Sequence, residues 1–134
     1  MITEDYVSFE IAKLLKEKGF DVPVRHFYNQ NGLCCRGASP YNWNDDKDID
    51  DGCADYSCPS IYVAMKWLRT EHSLHCSIDY DFVLGWYCQI TSLKETVEYD
   101  YEEMKHYHPE KDNGFSSPEE ACEAAIRYCL EKLI

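Results

Sequence analysis

Two short segments alternate apolar and polar side chains with a period of two, and a single glycine lies between them. Leu74, Cys76, Ile78 and Tyr80 alternate with His75, Ser77 and Asp79, while Trp86, Cys88 and Ile90 alternate with Tyr87, Gln89 and Thr91; Gly85 lies in the turn. Only an extended strand sends every second side chain to one face, so the pattern predicts two half-buried strands paired antiparallel. With Tyr80 opposite Trp86, Ile78 faces Cys88 and Cys76 faces Ile90. A sheet with one apolar face needs helices to cover that face.

Three segments supply them. Val7, Ile11, Leu14, Leu15 and Lys18 recur at helical spacing, with Thr3 as the expected cap, Gly19 at the left-handed C-terminal position and Phe20 packing back. Ser60 follows Pro59 and precedes a second helix, with Ile61, Ala64, Met65 and Leu68 on its apolar face and an end near His72. The third opens with Ser117-Pro118-Glu119-Glu120: serine at the cap, proline at the first helical position and glutamate at the third, a capping box. Its expected core stripe is Cys122, Ile126, Cys129 and Leu133.

Arg25–Asn29 and Leu33–Arg36 read as strands around an Asn31-Gly32 hairpin turn, and Lys94–Tyr99 as a further strand. Residues 37–57 and 100–116, broken by Gly, Pro, Asn and Asp, read as loops. The expectation is one α+β domain over 1–134, with three helices on an antiparallel sheet of about four to five strands, in the order α-β-β-α-β-β-(β)-α.

Three stretches carry a resemblance: Tyr6-Val7-Ser8-Phe9-Glu10-Ile11-Ala12-Lys13-Leu14-Leu15-Lys16-Glu17-Lys18-Gly19-Phe20, Cys58-Pro59-Ser60-Ile61-Tyr62-Val63-Ala64-Met65-Lys66-Trp67-Leu68-Arg69 and Glu119-Glu120-Ala121-Cys122-Glu123-Ala124-Ala125-Ile126-Arg127-Tyr128-Cys129-Leu130. Together they resemble a family of small uncharacterised proteins of gut bacteria and their phages or prophages. The resemblance covers the helices and not the loops. It implies a cytoplasmic accessory protein, with a mobile element as one origin it allows, and carries over no catalytic residue.

Charge narrows the function classes. With 25 acidic residues against 13 scattered basic ones, the net charge is −12. Neither nucleic acid nor an anionic membrane surface is expected as a partner, because both need clustered Lys and Arg. The longest apolar run, Phe82 to Cys88, is seven residues and includes Gly85, far short of the roughly 20 that span a bilayer. No signal-like segment opens the chain, so a cytoplasmic location and reduced, mostly buried cysteines are expected.

Chemistry-bearing clusters are few. Cys34, Cys35, Cys53 and Cys58 form a candidate zinc set, although neighbours on a strand point to opposite faces. His72, His75 and Cys76 are a second cluster, and His106 and His108 a third. Asp46, Asp48 and Asp50 match the first, third and fifth positions of a calcium loop, but Asp51 stands where glycine belongs and Ser57 where glutamate belongs. Hydrolase elbows, phosphate-binding glycine loops and zinc-protease helices are all missing from the sequence. The reading that follows is a non-catalytic interaction module without a cofactor. Its partner is an unidentified protein or a second copy, and its anchor candidates are Tyr41, Trp43, Tyr99, Tyr101 and Tyr107. The alternatives are a small metal-binding protein and an acidic mimic of DNA.

Overall fold

The computed structural model describes residues 4–45, 54–104 and 114–134. The fold is α+β; the described residues form three main helices and two three-stranded antiparallel sheets in the order α-β-β-β-α-β-β-β-α, plus one short additional helix. The expected sheet of about four to five strands is thus divided, and each part completes itself with its own third strand. By internal contacts the chain groups into two compact units, Met1–Tyr62 and Val63–Ile134.

In the first unit, α1 (Phe9–Glu17) is capped by Ser8, whose hydroxyl accepts from the Ile11 amide at 3.3 Å. The expected cap, Thr3, lies outside the described residues. The chain enters the helix extended because its backbone is already bonded: Val7 N–H donates to Pro59, and Asp5 accepts from Ile61. Ile11, Ala12 and Leu15 are the buried face, with Leu14 and Lys18 half-buried. The expected C-terminus is found in full. Gly19 has φ +89°, its amide donates to Lys16 O, and the Phe20 amide reaches back to Leu15 O, which is a Schellman closure with Phe20 buried.

Strand β1 (Val24–Tyr28) is central, flanked by β2 (Cys34–Tyr41) and β3 (Tyr56–Ser57). The Asn31-Gly32 turn forms as expected. Asn29 Oδ1 accepts from the Asn31 and Leu33 amides, and Gly32 takes φ +79°. Strand β2 runs on to Tyr41 and β3 ends at Ser57, so both ends of the segment expected as loop 37–57 are strand. Asn44 secures that return, accepting from the Ser57 amide at 2.9 Å and donating to Phe20 O at 2.9 Å.

Helix α2 (Ile61–His72) ends where expected. In the second unit β4 (Leu74–Asp81) and β5 (Gly85–Ser92) pair without interruption, and the expected register holds: Tyr80 opposite Trp86, Ile78 opposite Cys88, Cys76 opposite Ile90. Strand β6 (Val97–Tyr99) covers the Ile90–Ser92 end of β5. Residues 114–115 cover the other end, through Phe115 N–H to Trp86 O at 2.7 Å and Trp86 N–H to Phe115 O at 3.3 Å. The short α3 (Tyr101–Met104) also falls within the expected loop 100–116 and places Met104 in the core.

Helix α4 (Pro118–Tyr128) packs on β4 and β5. Ser117 caps it as expected, accepting from the Glu120 amide, while the Glu120 carboxylate returns to Ser116. Its buried face is Ala121, Ala124, Ala125 and Ile126, followed by Cys129 and Leu130. Cys122 and Leu133, expected in the stripe, are only half-buried. Two causes act: small alanines turn toward the sheet, and the helix widens into a π-helical turn, Cys129–Leu133, which rotates its last residues.

Ile126→Ala should lower the unfolding free energy by roughly 2–5 kcal/mol, read from denaturant melts. Gly114→Ala should be destabilising by about 1–3 kcal/mol, because a Cβ there runs into the carbonyl oxygens of Leu84 and Trp86.

Candidate functional site

The aromatic residues expected as anchors are partly spent on the fold. Trp43 donates its indole N–H to Val24 O at 2.7 Å and stacks on Phe27 with ring centroids 4.1 Å apart. It also occupies the space a side chain at Gly37 would need. It is half-buried and ties its loop to the first sheet. Tyr41 is exposed, with its ring at an angle to that of Trp43. Tyr99 is half-buried, its ring 5.9 Å from that of Tyr128. Tyr101 begins α3, its side chain outside the described set, and Tyr107 lies outside the described residues.

Among the described residues, the metal candidates do not form a site. Cys34 is exposed opposite Tyr28, and Cys35 is half-buried opposite Phe27. Cys58 is buried with its sulfur 3.6 Å from Val7 O. Cys53, Asp46, Asp48, Asp50, Asp51, His106 and His108 lie outside the described residues. Ser57 is used by β3: its hydroxyl accepts from the Trp43 amide. His72 lies against the Trp67 ring, while on β4 His75 is exposed and Cys76 buried on the opposite face. Among the described residues, no three His, Cys, Asp or Glu side chains are placed to hold a metal ion. Among the described residues, no helix is long and apolar enough to cross a membrane.

The feature that sequence reading missed is the apex of the β4–β5 hairpin. Phe82 is 98% exposed, Val83 90%, Tyr80 52% and Leu84 43%. A hairpin apex is ordinarily polar, because apolar side chains there gain nothing from the core. This apex is also ordered by specific bonds. One Asp81 carboxylate oxygen accepts from the Val83 amide at 2.8 Å and the Leu84 amide at 2.9 Å, and Gly85 at φ +95° returns the chain to β5. Behind it, Gly114 N–H donates to Leu84 O. The Tyr80 ring meets Trp86 at 5.1 Å and Phe82 at 6.2 Å, so the aromatic surface continues down the hairpin. The exposed carboxylates of Asp79 and Asp81 flank it. The one available signal was the apolar run Phe82–Cys88, informative for its position over a turn rather than for its length.

No family model, curated protein or solved structure matches the chain.

The hydrogen bonds from the Leu84 and Val83 amides hold the Asp81 carboxyl below the usual carboxylate range. A depressed value means that the cap is intact above the ordinary carboxylate pKa and is lost as the pH falls through the lowered one. Asp81→Ala should therefore abolish hydrogen-exchange protection of the Val83 and Leu84 amides at neutral pH while leaving that of β5 in place.

No disulfide joins the described cysteines. Burial pushes the Cys88 thiol up to about 12 and the Cys122 thiol up to about 11, and the contact with Cys129, then burial, raises Cys76. Because the folded values are raised, the stabilisation is complete below the unfolded thiol pKa of about 8.5 and lost as the pH climbs above it. Under reducing conditions the urea midpoint should fall between pH 8 and pH 10. Cys88→Ala should make that fall shallower, by about 1 kcal/mol per pH unit at most.

Proposed function

We propose that the protein is a non-catalytic interaction module that docks through the β4–β5 apex onto another protein. The observation that carries this reading is the near-complete exposure of Phe82 and Val83 on a turn held rigid by Asp81 and residue 114. A rigid apex loses little entropy on docking, so more of its apolar burial is realised as affinity. Burying Phe82, Val83 and the rest of Leu84 contributes several kcal/mol, at about 1.5–3 kcal/mol for each large side chain. Asp79 and Asp81 specify the surround: an apolar pocket with basic residues at its rim. The net charge of −12 disfavours an anionic membrane as the alternative receiver. The resemblance of the helices to small proteins of gut bacteria and their phages supports an accessory role in the cytoplasm.

The test compares wild type with a Phe82→Ser/Val83→Ser double variant as baits in the cell that makes the protein. Both substitutions remove only exposed atoms, so the melting temperature should stay within a degree or two. Proteins retained by wild type should be lost from the variant, with affinity at least tenfold weaker once a partner is purified. An identical retained set for the two baits would refute docking through the apex.

A further inference from the structure

Inside the second unit, Cys76 on β4 and Cys129 at the start of the π-helical turn bring their sulfurs to 4.0 Å, both buried. We propose that these two thiols are an oxidisable pair, which a small-molecule disulfide converts into an intramolecular disulfide fastening α4 to β4.

Geometry selects this pair from the four cysteines of the unit. Cys88 stands diagonally from Cys76 on the neighbouring strand, since Cys76 is opposite Ile90 and Cys88 opposite Ile78. A diagonal placement is poorly suited to a disulfide. The Cys88 sulfur is moreover engaged with that of Met104 at 3.4 Å. Cys122 is on α4 two turns before Cys129 and is half-buried. For Cys76 and Cys129, the gap must close from 4.0 Å to the bonded separation of about 2 Å. Cys129 still donates its backbone N–H to Ala125 O, and it stands at the junction where α4 passes into the π-helical turn Cys129–Leu133.

The chemistry is two successive exchanges. One protein thiolate attacks a sulfur of the small disulfide, forms a mixed disulfide and expels one small thiolate. The second protein thiolate then attacks the protein sulfur of that mixed disulfide and expels the other. Two cysteine thiols lose two electrons, the small disulfide gains them, and both protons end on the two small thiols released. Both sulfurs are shielded by burial, and the contact with Cys129, then burial, keeps the Cys76 thiol protonated at neutral pH, so the exchange is slow there and quickens as the pH rises. The product closes a loop from residue 76 to residue 129 that contains β5, β6, α3 and α4, and it constrains the unfolded chain accordingly.

The experiment incubates the folded full chain with oxidised glutathione, without denaturant, alkylates the remaining thiols and maps non-reduced peptides by mass spectrometry. The expected result is a Cys76–Cys129 linked peptide and a melting temperature raised by a few degrees, both reversed by dithiothreitol and formed faster at pH 9 than at pH 7. Cys76→Ser and Cys129→Ser should each abolish the linked peptide, whereas Cys88→Ala should retain it. The wild-type peptide map decides alone if either serine variant does not fold. Complete alkylation of both thiols after incubation, or linkage through other cysteines, would overturn the proposal.

Discussion

The uninterrupted antiparallel register of β4 and β5, from Leu74 opposite Ser92 to Asp81 opposite Gly85, is the constraint on which the second unit depends. Side chains alternate strictly along paired strands, so one register sets both faces at once. It lines up Leu74, Cys76, Cys88 and Ile90 on the side that α4 covers and leaves His75 and Asp79 on the other. A slip of one residue would exchange those sets. The same register ends at Asp81 and Gly85, which leaves Phe82, Val83 and Leu84 as the connection and forces them out at the end of a stiff ribbon.

Cover for this ribbon comes from small residues. Ala121, Ala124 and Ala125 lie on the buried face of α4, with Ile126, Cys129 and Leu130 filling what remains. Sulfur fills the adjoining space: Cys76 against Cys129, and Cys88 against Met104. Sulfur atoms are polarisable and adapt to irregular gaps, which suits a core where a helix changes its winding in the last turn. The first unit uses a different device. Hydrogen bonds from Trp43, Asn44 and Tyr28 to backbone oxygens of Val24, Phe20 and Val7 tie loop and helix to its sheet.

Elements whose specification is local were legible in advance. Gly19 with Phe20, Asn31-Gly32 and Ser117-Pro118 each act within a few residues, and each formed as read. The first helix start was misplaced because Thr3 and Ser8 are both residue types that cap helices. A long-range bond, Val7 to Pro59, keeps the preceding chain extended and leaves Ser8 as the cap. The two-residue strand β3 has no periodicity to detect, and exists because β1 offers an edge that Asn44 helps it to meet. Trp43 looked like an interface anchor because its residue type suits one, yet Phe27 and Val24 claim it. The apex escaped notice for the opposite reason: an apolar run ordinarily means core, and only the position of the turn reveals that Phe82 and Val83 face water.

By itself the sequence determined the α+β class, the end of α1, both ends of α2, the start of α4, and the pairing of Tyr80 with Trp86 that sets which sulfurs share a face. These depend on periodicity and capping, which act over one to four residues along the chain. Tertiary structure alone decided the division into two sheets, the rotation of the α4 stripe toward its alanines and the 4.0 Å approach of Cys76 to Cys129. It also decided that residue 114 would brace the apex. Each of these depends on which distant segment fills an open edge or gap, and that choice is made by packing and backbone hydrogen bonding in three dimensions.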